Sequence, residues 1–242
     1  MRKQLLTSAA ALALSVGAAF ASDLPTHKAP PPPPAPAAFS WTGFYVGVQA
    51  GYGWGAESDD FSYVPRVLDS FDVSGPIGGA HIGYDQQFDT LVIGVVADID
   101  ASGIEGGKSS TFNGTYNEGV GVTSLSMRNT WQASLRARAG VAFDRLLIYG
   151  TGGVAFADDK ETAAVNDPNF FAWSGSQTNT LVGWTIGAGA EYAFDRHWSA
   201  SAELRYADFG KGSYSGSSNH FVLDYSAGFD ETLAQVGLSY RF

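Results

Sequence analysis

The sequence predicts an all-β fold, an eight-stranded antiparallel up-and-down barrel that crosses a membrane on its strands. Three observations lead there. From Trp41 to the C-terminus apolar residues alternate with small or polar ones at period two, and no window repeats them at helical spacing. Short and long connections between these stretches alternate strictly. Aromatic side chains gather at both ends of the apolar phase, as they do at the two water interfaces of a bilayer.

Residues 1–21 come first. Arg2 and Lys3 precede an uncharged stretch around Leu12 and Leu14, and the small-x-small triplet Ala19-Phe20-Ala21 follows. This layout is that of a cleavable secretory signal, and its apolar core is shorter than the roughly 20 residues of a spanning helix. Residues 22–40 are predicted to form a periplasmic linker. Their prolines, from Pro30 to Pro36, favour an extended polyproline segment, with a docking site for a periplasmic partner as the alternative. Residues 41–242 form the barrel domain. With no cysteine, an exported chain gains stability from burial and backbone pairing alone. The net charge of −10 becomes more negative once Arg2 and Lys3 are removed, which argues against a nucleic-acid partner.

In "WTGFYVGVQAGYGW" Phe44, Val46, Val48, Ala50, Tyr52 and Trp54 alternate with Gly43, Tyr45, Gly47, Gln49, Gly51 and Gly53. "PIGGAHIGYDQQF" and "LVIGVVADIDA" alternate more weakly and supply the second and third strands. The fourth, "TWQASLRARAGVAF", keeps Arg136 and Arg138 in its polar phase, and the fifth, "LLIYGTGGVAFAD", is ambiguous in phase. "LVGWTIGAGAEYAF", "HWSASAELRYADF" and "LAQVGLSYRF" complete the set. Very short turns are predicted at Phe88-Asp89-Thr90, Phe143-Asp144-Arg145 and Phe194-Asp195-Arg196. The connections at 56–74, 103–126, 159–179 and 211–229, rich in Gly, Ser, Asn and Asp, are expected to be exposed loops.

A soluble β-sandwich would also alternate. The alternation of connection lengths and the two aromatic belts favour the membrane barrel. In hydrocarbon an open sheet edge leaves N–H and C=O groups unpaired, so the last strand must pair with the first. Tyr240 and Phe242 are therefore expected to close the barrel at the periplasmic rim, against the strand that begins near Trp41. The polar phase then points inward and brings Asp85, Asp98, Asp100, Glu191 and Glu203 together with Arg136, Arg138, Arg205 and Arg241. An eight-stranded barrel is only wide enough for side chains to fill, and buried charges must be paired. An interior ion-pair network without a wide channel follows. These carboxylates are not read as catalytic, because paired structural charges perturb one another as active-site groups do.

"WTGFYVG" at 41–47, "LRARAGVAFDRLLIYGTGGVAFAD" at 135–158, "GWTIGAGAEYAFDRHWSASAELRYADFG" at 183–210 and the terminal "VGLSYRF" closely resemble the small outer-membrane proteins of alphaproteobacteria, the outer-membrane immunogenic or porin-family proteins. The resemblance covers essentially the whole mature chain. It implies a barrel of OmpA/OmpX-like architecture in the cell outer membrane, which contributes to envelope integrity and surface interactions, with no catalytic residues and no cofactor. The partners it implies are outer-membrane lipid and lipopolysaccharide, the outer-membrane assembly machinery acting on the C-terminal strand, and host or extracellular ligands at the long loops. Similar proteins tend to carry an acidic residue in the third strand where this chain has Val96. A narrow porin for small solutes is the alternative within the same fold. His220, with Tyr214 and Tyr225, is a candidate haem contact in the last long connection. His197-Trp198-Ser199 has the spacing seen in an outer-membrane lipid A deacylase, but it falls beside a short periplasmic turn, away from the outer leaflet. Neither Asp59-Asp60 nor Asp158-Asp159 lies in a Gly-punctuated calcium loop, so no metal is assigned.

Overall fold

Eleven strands, every pairing antiparallel, make up the computed structural model, which describes residues 39–61, 70–113, 120–167, 171–217 and 222–242. The leader at 1–21 and all but the last two residues of the 22–40 linker lie outside the described residues. Eight strands close a ring. In order around the wall they are β1 (Gly43–Phe61), β2 (Ser70–Phe88), β3 (Leu91–Ser102), β6 (Trp131–Phe143), β7 (Leu146–Asp167), β8 (Phe171–Ala193), β9 (Trp198–Asp208) and β11 (Val222–Arg241). β11 returns to β1 with Tyr45 opposite Arg241, and the Phe242 amide donates to the Phe44 carbonyl at 3.0 Å. The ring has no free edge to present to lipid, the condition hydrocarbon imposes on a sheet.

The tight turns sit where the sequence predicts them. Asp89 and Asp144 adopt the left-handed conformation, at φ 57° and 54°, which aspartate tolerates in a two-residue hairpin. At the third turn the Asp195 carboxylate accepts from the His197 and Trp198 amides, at 2.7 and 2.8 Å. That carboxylate is held below the usual aspartate range, first by the His197 amide and then by the Trp198 amide.

One face of the wall is exposed and apolar. On β8 the outward residues run Ser174, Ser176, Thr178 and Thr180, then change to Val182, Trp184, Ile186, Ala188, Ala190 and Tyr192, with exposed Phe194 just past the strand's end. From Val182 to Phe194 is about 40 Å of strand, or about 30 Å of height at the usual barrel tilt, which matches a bilayer. Tyr52, Trp54, Trp131 and Trp184 are exposed at the upper margin, and Phe44, Phe88, Phe143, Phe194, Trp198 and Phe242 at the lower.

The connections expected to be loops turn out differently, for much of their length is a second tier of sheet. β1 and β2 stay paired up to Ser58 and Ser70, and β7 and β8 up to Asp167 and Phe171. Above β3 and β6 the wall is continued by β4 (Glu105–Asn113) and β5 (Val120–Arg128). β4 joins β2 at Val73 and Ser74, and β5 joins β7 from Asn166 to Lys160. Above β9, β10 (Gly212–Ser217) pairs with β11 and runs alongside β8. This tier stands in water and needs no apolar outer face, so its sequence lacks the signal that marks the membrane spans. Its inner face carries a buried apolar cluster that includes Phe71, Val73, Ile104, Leu125, Met127, Phe209, Phe229 and Leu233, beside the buried carboxylates Glu57, Asp159, Glu161 and Glu231. A smaller cluster of Trp41, Val92, Ala142, Leu147, Tyr149 and Ala193, with Phe39 packed against it, lies at the end that carries the tight turns.

Candidate functional site

Between the two apolar clusters the inward face carries charge. The Leu-Arg-Ala-Arg stretch of β6 puts Arg136 and Arg138 two residues apart and therefore on one face. Arg136 stands opposite Val96 in register and reaches the diagonal Asp98 at 2.6 Å, so the missing acid at Val96 is replaced from two residues along the same strand. Its other nitrogens meet Glu203, Ser134 at 2.9 Å and Thr151 at 3.1 Å. Arg138 pairs with Glu191 and, at 3.3 Å, with Asp85. Gly94 lies between Asp85 and Arg138 in register, and a Cβ there would come within 2.2 Å of the Asp85 carboxylate. The absent side chain is what allows that pair to meet across the intervening strand. The Arg138 guanidinium also lies 3.9 Å from the centre of the Tyr149 ring.

Arg205 binds Asp98 at 2.9 Å and approaches Asp100 at 4.0 Å. Arg241 binds Asp85 at 2.9 Å, donates to the Trp41 carbonyl and stacks over the Trp41 and Tyr45 rings. All four guanidinium groups are about as buried as an apolar core, at 4% exposure. Tyr240 and Phe242 lie at the lower rim on β11, where Tyr240 contacts the rings of His197, Trp198 and Phe242.

Sequence reasoning missed several interior residues. Gln49 donates to both oxygens of Asp100, at 2.8 and 2.9 Å, and offers its own carbonyl to His81 at 3.0 Å. The other His81 nitrogen meets Ser239 at 2.8 Å, and Gly47 leaves the space that the imidazole occupies. Gln49 was visible in the polar phase of the first strand, but period two does not say which neutral residue will reach a buried carboxylate. Trp41 was assigned to the start of the first strand. It instead turns under the barrel, fully buried, with its indole N–H donating to the Asp144 carbonyl at 3.1 Å.

A polar cavity of about 40 Å³ remains at mid-height, bordered by Tyr45, Gln49, His81, Arg138, Glu191 and Glu203. It has room for about two or three water molecules and no larger solute. Higher up, oxygens of the buried Glu57, Asp159 and Glu161 come within 4.8 Å of one another, an arrangement that could share a cation, and each of these residues also has a further polar or electrostatic contact. Ser199 donates its hydroxyl to Glu191 at 2.6 Å inside the barrel, whereas the exposed His197 ring stacks on Tyr240. The two groups of the His-x-Ser spacing therefore do not meet. Tyr214 and Tyr225 face each other in the β10–β11 register, and His220 lies outside the described residues.

The family described as outer membrane protein beta-barrel domain matches residues 7–242. The chain belongs to this outer-membrane β-barrel family. It is similar to the 31 kDa outer-membrane immunogenic protein of Brucella melitensis biotype 1, at 35% identity over the whole of both chains. It is also similar to the 22 kDa outer membrane protein of Rhizobium leguminosarum bv. viciae, at 28% identity, covering 85% of this chain and 80% of that one. Among solved structures, the outer membrane protease OmpT from Escherichia coli matches at TM-score 0.52 and 8% identity, covering 85% of this chain and 99% of that one, a likeness of fold alone. As a member of the family, the protein resides in the outer membrane.

Proposed function

We propose that this barrel is a structural, surface-exposed component of the outer membrane, with an occluded interior, that contributes to envelope integrity and presents its upper tier to the outside. One observation carries the reading: four buried guanidinium groups cross-link five carboxylates from β2, β3, β8 and β9 through the middle of the lumen, with an apolar cluster above and another below. Charges so enclosed are costly to separate, and the small volume left among them, about 40 Å³, supports the occluded reading. Relatives that are named outer-membrane immunogenic proteins support exposure of the upper tier. The separation of His197 from Ser199 supports a non-enzymatic role.

Reconstitution of the purified chain into planar bilayers tests this. The expected result is no stable single-channel opening in symmetric salt. Reproducible conductance steps that scale with salt would overturn the occluded reading in favour of a narrow porin.

A further inference from the structure

The upper tier carries an outward pair of cations that the interior network does not use. Arg128 on β5 and Lys160 on β7 stand directly opposite each other in register. Their neighbours Met127, Asp159 and Glu161 point inward and are buried, while both cations are exposed on the outer face. Like charges directly opposite on one face of a sheet repel. Among the described residues neither has a carboxylate within 4.0 Å.

The acids that could neutralise them are engaged elsewhere or fall short. Asp158, the next outward residue below Lys160, accepts from the Thr130 and Trp131 amides at 2.8 Å each and from the Thr130 hydroxyl at 2.6 Å. It pins the step where the chain passes from β5 into β6. Glu105 faces Arg128 from the β4 side without forming an ion pair, which leaves the flank toward Lys160 and the exposed Thr178 hydroxyl as the cationic one.

Height completes the picture. Gln132 pairs with Ala157, so Trp131 of the upper aromatic belt is level with Asp158, and the Arg128–Lys160 pair lies two residues higher. Two residues are about 7 Å of strand, or about 5 Å of height at the usual tilt. The polar headgroup layer on each side of a bilayer is about 5–8 Å deep. The pair thus sits at headgroup depth, on flexible stems that can reach toward the rings. Arg supplies a planar fork suited to phosphate oxygens and Lys a mobile point charge.

We infer that Arg128 and Lys160 form a binding site for the phosphate of an outer-leaflet lipid headgroup, which bridges the two cations above Trp131. The bound phosphate cancels their repulsion and fixes the azimuth at which the barrel meets its lipid annulus.

The full chain folded in phosphatidylcholine nanodiscs, doped with a small fraction of bisphosphorylated lipid A, provides the test. Retained lipid A per protein is read by native mass spectrometry. The Arg128→Gln/Lys160→Gln protein, checked for folding by its heat-modifiable gel mobility, is expected to hold lipid A about 30-fold more weakly. Arg145→Gln/Arg196→Gln, at the opposite rim, is expected to match the wild type. Equal retention by the R128Q/K160Q protein, or equal retention of dephosphorylated lipid A by the wild type, would overturn the inference. Full displacement of lipid A by inorganic phosphate would also overturn it, since the site would then recognise the free anion.

Discussion

Replacing Arg138 by Gln separates a dry interior from a wet one. The guanidinium is 4% exposed, pairs with Glu191 and with Asp85 at 3.3 Å, and lies 3.9 Å from the Tyr149 ring centre. After the substitution Asp85 keeps Arg241 at 2.9 Å, but Glu191 keeps only the Ser199 hydroxyl at 2.6 Å. An uncompensated buried carboxylate of this kind costs about 3–5 kcal/mol. Were the lumen a water-filled pore, the same pair would be solvated and worth about 0.2–1 kcal/mol. The two cases differ severalfold, well outside the error of a urea titration followed by tryptophan fluorescence in detergent or lipid. Arg138→Met combined with Glu191→Met removes both charges and is expected to recover most of the loss, because an apolar pair of similar volume replaces a buried ion pair at little cost. A loss below about 1 kcal/mol for the single substitution refutes the buried-pair argument. A double variant as unstable as the sum of its parts refutes the pairing.

Two further outcomes follow from the periplasmic end. Trp41→Ala empties the floor cluster and is expected to lower stability by about 3–5 kcal/mol in the same titration, while bilayer recordings stay silent because the ion pairs and the upper cluster remain. For Asp195 the sign follows from its lowered pKa: the carboxylate stabilises the β8–β9 turn above the ordinary aspartate range, and the contribution is lost as pH falls through the folded value. Amide exchange at His197 and Trp198 should therefore quicken, relative to the rest of the barrel, on acidification in the native protein. In Asp195→Asn that relative change should vanish.

The membrane spans were legible because lipid on one side and a packed lumen on the other force period two on every strand. Each tight turn was marked by an Asp directly after Phe88, Phe143 or Phe194, placed between two alternating stretches. The inward position of Arg136, Arg138 and their acidic counterparts followed from the same alternation. Their partners did not, because Asp98 reaches Arg136 on a diagonal and Asp85 reaches Arg138 past Gly94, which depends on the stagger with which the ring closes. The upper tier was read as loops for a physical reason. Water on its outside removes the apolar half of the pattern, and a high content of Ser, Gly and Asn then resembles irregular chain. The brief alternation of Leu125 and Met127 with Ser124 and Ser126 was the available clue to β5. Trp41 lies ahead of the first strand, where alternation carries no information about direction.

The eight-membered hydrogen-bonded circuit is complete without β4, β5 and β10, and among the described residues β4 pairs with it only at the Val73 and Ser74 positions of β2. The parts facing the outside world are thus grafted onto a frame whose continuity does not require them. Related chains can remodel that outer crown, in length and in chemistry, while the cylinder beneath keeps its geometry.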